Sequence, residues 1–88
     1  VEFEGYMAYA VNTPVFRSEI GNALLTSDHP VAIMWYEKHG MIKVSLRSRK
    51  EADVSKIVSR YGGGGHEQSA GFRFPASGTF PWRIIIKK

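Results

Sequence analysis

Four glycines in a row, Gly62, Gly63, Gly64 and Gly65, then His66, Glu67, Gln68, Ser69, Ala70 and Gly71, constrain this chain more than any other segment. Glycine loses more backbone freedom on folding than any other residue, so ordering such a run is costly. A folded domain keeps it where backbone must come very close to something, or where φ must be positive. A flexible linker is the bland alternative. Linkers, however, are longer and richer in serine, and apolar segments flank this run. The segment before it has helical period and ends at Tyr61; the segment after it reads as a short helical turn. Glycines leading into a helix start expose backbone N–H groups with no side chain in the way. That geometry suits an anion, above all a phosphate. His66 adds a directional, titratable side chain at the rim.

The familiar phosphate loops do not fit. A P-loop needs Lys and then Ser or Thr after its last glycine, and here His66 and Glu67 follow. A dinucleotide-binding turn needs a strand before its glycines, not a helix. These mismatches argue against a nucleoside triphosphatase and a nicotinamide enzyme.

A chain of 88 residues is one small domain, and its 43% hydrophobic share supports a modest core. Without cysteine it has neither disulfides nor thiolate zinc sites, which fits a reducing compartment. No apolar run approaches membrane-spanning length, and no signal-peptide pattern opens the chain. A first residue of Val1 suggests a piece of a longer protein. The net charge of +4 favours an anionic partner. Its distribution is more telling, since Lys43, Arg47, Arg49, Lys50, Lys56 and Arg60 all lie in the stretch leading to the glycines.

Residues 6–11 read as a strand. Thr13 and Pro14 offer an N-cap and a first helical position, with Phe16, Ile20, Ala23 and Leu24 on one helical face. Gly21 weakens that helix without forbidding it. Residues 27–30 are turn chemistry. Residues 31–37 are nearly all apolar, as in a strand buried on both faces. Lys38, His39 and Gly40 make a hairpin turn into a strand over residues 41–48. That strand alternates: Ile42, Val44 and Leu46 point one way, and Lys43, Ser45 and Arg47 the other. Asp53 caps a second helix, whose apolar stripe is Val54, Ile57, Val58 and Tyr61. A short strand at residues 72–74 and a terminal strand at residues 82–87 follow. The mixture predicts an α/β fold, bordering on α+β, with a mixed sheet and helices packed on it.

For site residues, His66 leads: a ring N–H donates to phosphate, more strongly when protonated. Arg47 follows, because its planar fork suits a phosphate; an ordinary surface role is equally consistent with a half-exposed strand. If Arg49 continues the strand it extends the polar row, and Ser48 beside Arg47 joins the candidate phosphate-binding residues. His29 and His39 lie in turns, and no converging metal-ligand set is visible. No nucleophile has an adjacent base, so the chain shows no complete active site. Trp35 and Trp82 are candidates for base stacking, but Trp35 sits in an apolar strand and fits the core better.

These segments together resemble the DHH-associated domain, the C-terminal substrate-binding domain of DHH-family phosphoesterases. The resemblance rests on Val44, Ser45, Leu46, Arg47 and Ser48; on Asp53 and Val54 opening a helix; on Gly62 to His66; and on Ser69, Ala70, Gly71 and Phe72. Ser69 stands where the family pattern has alanine. The stretch from Ser18 to Leu24 also agrees. The resemblance implies phosphate- and substrate-binding roles for Arg47, Gly62, Gly63, Gly64, Gly65 and His66, to which the strand end adds Ser48 and Arg49 as candidates, with no catalytic or metal-binding residue in this chain. It implies an N-terminal DHH catalytic domain in the same polypeptide, carrying a divalent metal, usually manganese. It further implies a cytoplasmic protein acting on short single-stranded nucleic acid or nucleotide phosphates, similar to oligoribonucleases and exopolyphosphatase-related proteins. The metal motifs of that family have no counterpart here, since Asp28 and His29 are followed by Pro30 in a turn. Two other readings compete: a stand-alone single-stranded nucleic-acid-binding module without catalysis, and a protein-interaction domain whose glycines form only a tight turn.

Overall fold

A computed structural model describes residues 1–15 and 18–84. Its order is β1 (Glu2–Phe3), β2 (Tyr6–Asn12), α1 (Ser18–Ala23), β3 (Val31–Lys38), β4 (Met41–Ser48), α2 (Val54–Ser59), β5 (Gly64–His66) and β6 (Ser69–Pro75). The strands form one mixed sheet in the order β1-β2-β3-β4-β6-β5. Only β2 and β3 run parallel, joined across the sheet by α1; the other pairs are antiparallel. The expected α/β or α+β sheet with helices packed on it is what the chain forms.

The hairpins have local causes. Glu4 (φ 51°) and Gly5 (φ 84°) link β1 to β2, and His39 (φ 53°) and Gly40 (φ 76°) link β3 to β4. Two consecutive positive-φ residues make the turn whose twist matches the flanking strands. Lys38 therefore belongs to the strand and not to the turn. β4 spans the predicted residues and alternates without a break, with Ile42, Val44, Leu46 and Ser48 buried.

The helices lie on opposite faces of the sheet. On one face Val54, Ile57 and Val58 of α2 meet Ile33, Val44, Leu46, Ala70 and Phe72. Phe3, Tyr61, Trp35, Phe74, Phe80 and Trp82 extend this core, with Trp35 edge-on to Phe80 at 4.9 Å. Both tryptophans are thus packing residues. On the other face α1 sits over β3 and β4, which explains why the four residues from Val31 to Met34 are wholly buried. The buried residue of α1 is Gly21; of the predicted apolar stripe, Ile20 and Leu24 are half-buried and Ala23 is exposed. A Cβ at Gly21 would stand 2.5 Å from Arg47 Cγ and 2.9 Å from Met34 Cε, so the helix backbone itself lies on those side chains. Thr13 is not the cap of α1: it is buried before a bend and donates to the Val15 carbonyl at 3.0 Å. Asp53 caps α2 as predicted, accepting from Ser55 N–H at 3.0 Å and Lys56 N–H at 3.3 Å.

The residues after the glycines are not helical. They form β5, a two-residue turn at Glu67 and Gln68, and β6. The polar run from His66 to Ser69 is hairpin chemistry, and β6 begins three residues before the predicted strand. At the far end Arg83 bridges to Glu2 on β1. The rest of the predicted terminal strand, residues 85–87, and the predicted helical position Phe16 lie outside the described residues.

Candidate phosphate-binding face

The glycine run does several jobs at once. Gly62, at φ 76°, stops α2: its N–H reaches the Ser59 carbonyl at 3.3 Å and the Gly63 N–H reaches the Val58 carbonyl at 2.9 Å. This is the left-handed glycine stop that satisfies orphan helix carbonyls. Gly63 then lies against β6, where a Cβ would stand 2.2 Å from the Gly71 carbonyl oxygen. Gly65 has a φ of 147°, and a Cβ there would meet Ala70 and Ser69 at 2.6 Å. The fold itself requires glycine at these three positions. Gly64 differs: its φ is ordinary and a Cβ would meet nothing within 4 Å.

Register places the polar residues on one face. His66 pairs with Ser69, Ser69 with Arg47, and Arg47 with Ala32, so His66, Ser69 and Arg47 stand side by side across β5, β6 and β4. Arg47 does not run directly beside the glycines, because β6 intervenes. Its Cα is two strand spacings from that of His66, about 10 Å. The next row on the same face is Gly64, Gly71 and Ser45, which has almost no side chain. Backbone is thus little covered by side chains in the row beside Arg47, and β5 is a sheet edge, with one side of its backbone unpaired.

Arg47 is clamped. Gly21 lies on its aliphatic stem, and its Nε is buried with no hydrogen-bond partner among the described residues. A buried, unsatisfied polar atom calls for a partner such as water or an ion. Among the described residues no carboxylate pairs with Arg47, whereas Arg49 pairs with Glu51 at 3.0 Å and Arg60 with Glu4 at 2.7 Å.

Ser48 and Arg49 do not share this face in the way Arg47 does. Ser48 alternates into the core and is buried; its hydroxyl donates to the Ala52 carbonyl at 2.7 Å and lies 3.3 Å from the Glu67 carbonyl. Its N–H donates to the Gln68 carbonyl at 3.1 Å, and Val54 N–H donates to the Glu67 carbonyl at 2.8 Å. Ser48 therefore holds the turn that carries His66. Arg49 is exposed beyond the strand end with Glu51.

Two features escaped the sequence reading. Lys43 and Arg73 are direct cross-strand partners on the same face. Beside them runs a groove of about 650 Å³ lined by Met41, Tyr61, Gly62, Gly63 and Gly71. The other is Glu4, whose carboxylate accepts from the Tyr61 hydroxyl and the Arg60 guanidinium, tying the β1–β2 turn to the residues before the glycines. Burial, with help from Glu4, raises the Tyr61 phenol from 10.0 to about 12. The only sequence signal for the first feature was the basic excess at alternating strand positions. The second had none, since it joins residues 57 apart.

Comparison with known proteins agrees with this architecture. The family model described as "DHHA1 domain" matches residues 6–81. Oligoribonuclease NrnB of Bacillus subtilis (strain 168) is 41% identical over 66 residues, which is 69% of this chain and 16% of that relative. The chain thus spans about one sixth of the relative's length. The crystal structure of an uncharacterized protein from Helicobacter pylori G27 superposes with a TM-score of 0.73 at 25% identity, over 84% of this chain and 22% of that one. With the family model covering nearly all of the sheet and both helices, the chain belongs to the DHHA1 domain family.

Proposed function

We propose that this domain grips the phosphates of short single-stranded nucleic acids or nucleotides for a DHH-family phosphoesterase whose catalytic domain lies elsewhere in the same polypeptide. The observation that carries the reading is the row of Arg47, Ser69 and His66 beside the open position at Gly64. Arg47 supplies a fixed guanidinium fork, suited to two phosphate oxygens at once. Ser69 and His66 supply an O–H and a ring N–H from neighbouring strands. Gly64 keeps side chains off the edge, so backbone and phosphate approach closely. The kinship with an oligoribonuclease supports a nucleotide-chain ligand in preference to other anions.

The chemistry of bond cleavage is not assigned to this chain. Among the described residues no group of three His, Cys, Asp or Glu is placed to hold a metal ion. The divalent metal that the family resemblance implies, usually manganese, would be held by the catalytic domain and would supply activation of water there. This chain binds, orients and neutralises charge. The test is titration of a 5′-phosphorylated dinucleotide into the parent, Arg47→Ala and His66→Ala proteins. Clear binding by the parent and loss in both variants is the expected result. Equal binding by all three would remove the reading.

A further inference from the structure

The groove beside the glycines has no part in the proposal above, yet its charge needs an explanation. Lys43 on β4 and Arg73 on β6 face each other directly. Like charges opposite one another on a sheet repel. Among the described residues neither forms an ion pair; the carboxylates that do, Glu2, Glu4 and Glu51, are engaged with Arg83, Arg60 and Arg49. The immediate neighbours on this face, Tyr36, Ser45 and Gly71, bring no negative charge. Both cations line the groove, whose volume of about 650 Å³ falls within the range of ligand pockets. The groove exists because β5 pairs only with residues 69–71, leaving the outer edge of β6 beyond Gly71 open. Met41 and Tyr61 give it apolar wall, and Gly62 and Gly63 give it room.

We propose that Lys43 and Arg73 form a second phosphate subsite, for a nucleotide further along the same strand, so that the domain prefers oligonucleotides to mononucleotides. The inference rests on reading the Arg47 row as the first phosphate site. Lys43 lies four residues from Arg47 along β4, about 13 Å at the rise of a strand. That exceeds the separation of two phosphates on one nucleoside. The row between the two sites, Ser45, Gly71 and Gly64, has no bulky side chain to block a sugar–phosphate backbone running from one to the other. Met41 and Tyr61 offer apolar surface to the base that accompanies the second phosphate.

The experiment measures affinity for adenosine 5′-monophosphate, pApA and pApApA in the parent, the double variant Lys43→Gln with Arg73→Gln, and Arg47→Ala. The parent should bind the trinucleotide at least about tenfold more tightly than the mononucleotide, the scale of one charged contact. The double variant should bind the mononucleotide as the parent does and lose the gain with length. The salt dependence of its trinucleotide binding should flatten, by about 0.7 in log–log slope for each lost phosphate contact. It should melt no lower than the parent, because a repulsive pair has been removed. A parent that gains nothing with length, or a double variant that keeps the full gain, overturns the second subsite. Mononucleotide binding unchanged in Arg47→Ala overturns the first site instead, and a parent that binds none of the three overturns both.

Discussion

Gly63 and Gly64 are neighbours with different reasons for lacking a side chain. At Gly63 a Cβ runs into the Gly71 carbonyl, which is backbone and has nowhere to go. At Gly64 there is open space and an ordinary φ. Gly63→Val should therefore disrupt the β5–β6 edge and lower stability by more than about 3 kcal/mol, seen as a fall in melting temperature. Gly64→Val should leave melting unchanged or slightly raised, since a β-branched residue suits an edge strand, yet weaken nucleotide binding at least severalfold. Equal affinity in Gly64→Val would mean that this glycine serves no ligand. For Arg47→Ala and His66→Ala the expected loss of binding is about 1.5–3 kcal/mol each, the usual range for hydrogen bonds to charged groups. His66 is exposed, so its removal should not change folding. Tyr61 gives a pH signature. Its pKa is raised in the fold from 10.0 to about 12. Its contribution to stability is thus fully present below pH 10 and is lost as pH rises towards 12. Alkaline denaturation of Tyr61→Phe should lack the part of the decline that falls between those values. An identical alkaline profile would show that Tyr61 does not couple the β1–β2 turn to the glycines.

Single elements place these residues, and two of them act on the site from behind. Helix α1 presses Gly21 onto the stem of Arg47. Gly21→Ala raises helix propensity, but its methyl runs into the stem of Arg47 at Cγ and into the Met34 Cε, an overpacking that costs about 1–3 kcal/mol. The expected outcome is weaker nucleotide binding in a folded protein, measured beside the melting temperature. Unaltered affinity would show that α1 does not position the guanidinium. The β5–β6 turn depends on Ser48. Ser48→Ala removes its buried hydroxyl's bonds to Ala52 and Glu67 and should cost about 1–3 kcal/mol of stability. Amide exchange at Glu67 and Gln68 should accelerate; exchange as slow as in the parent would assign the turn's order to its backbone bonds alone. At this scale the sequence was informative where elements are defined by their own residues. The alternation of β4, the apolar run of β3, the turn at Gly40 and the cap at Asp53 were all legible. The β5–β6 hairpin was misread as a helix entry because glycines leave no periodicity to count. Strand β1 was too short to show any pattern. The true contact of α1 was hidden because the surface beneath it is an arginine stem from a strand distant in sequence.

For the whole molecule, the sheet order decides what the site can be. The alternation of β4 put Arg47 on a polar face, but only the insertion of β6 between β4 and β5 shows that His66 shares its row. That long-range pairing is not written in local pattern, and neither is the Lys43–Arg73 pair. The chain presents an apolar, helix-covered face and a basic, partly open one, with no metal cluster among the described residues. The 88-residue chain should accordingly release no mononucleotide from a short RNA in the presence of manganese. Release would place catalytic residues in this domain and contradict the division of labour. The most direct test of the central claim is an amide-resonance titration of the labelled chain with a 5′-phosphorylated trinucleotide at low salt. The shifts should cluster on residues 62–66, Ser69, Gly71, Ser45 and Arg47, and fade as salt rises. Shifts centred on α2 and its packed face, or none at low salt, would contradict the account.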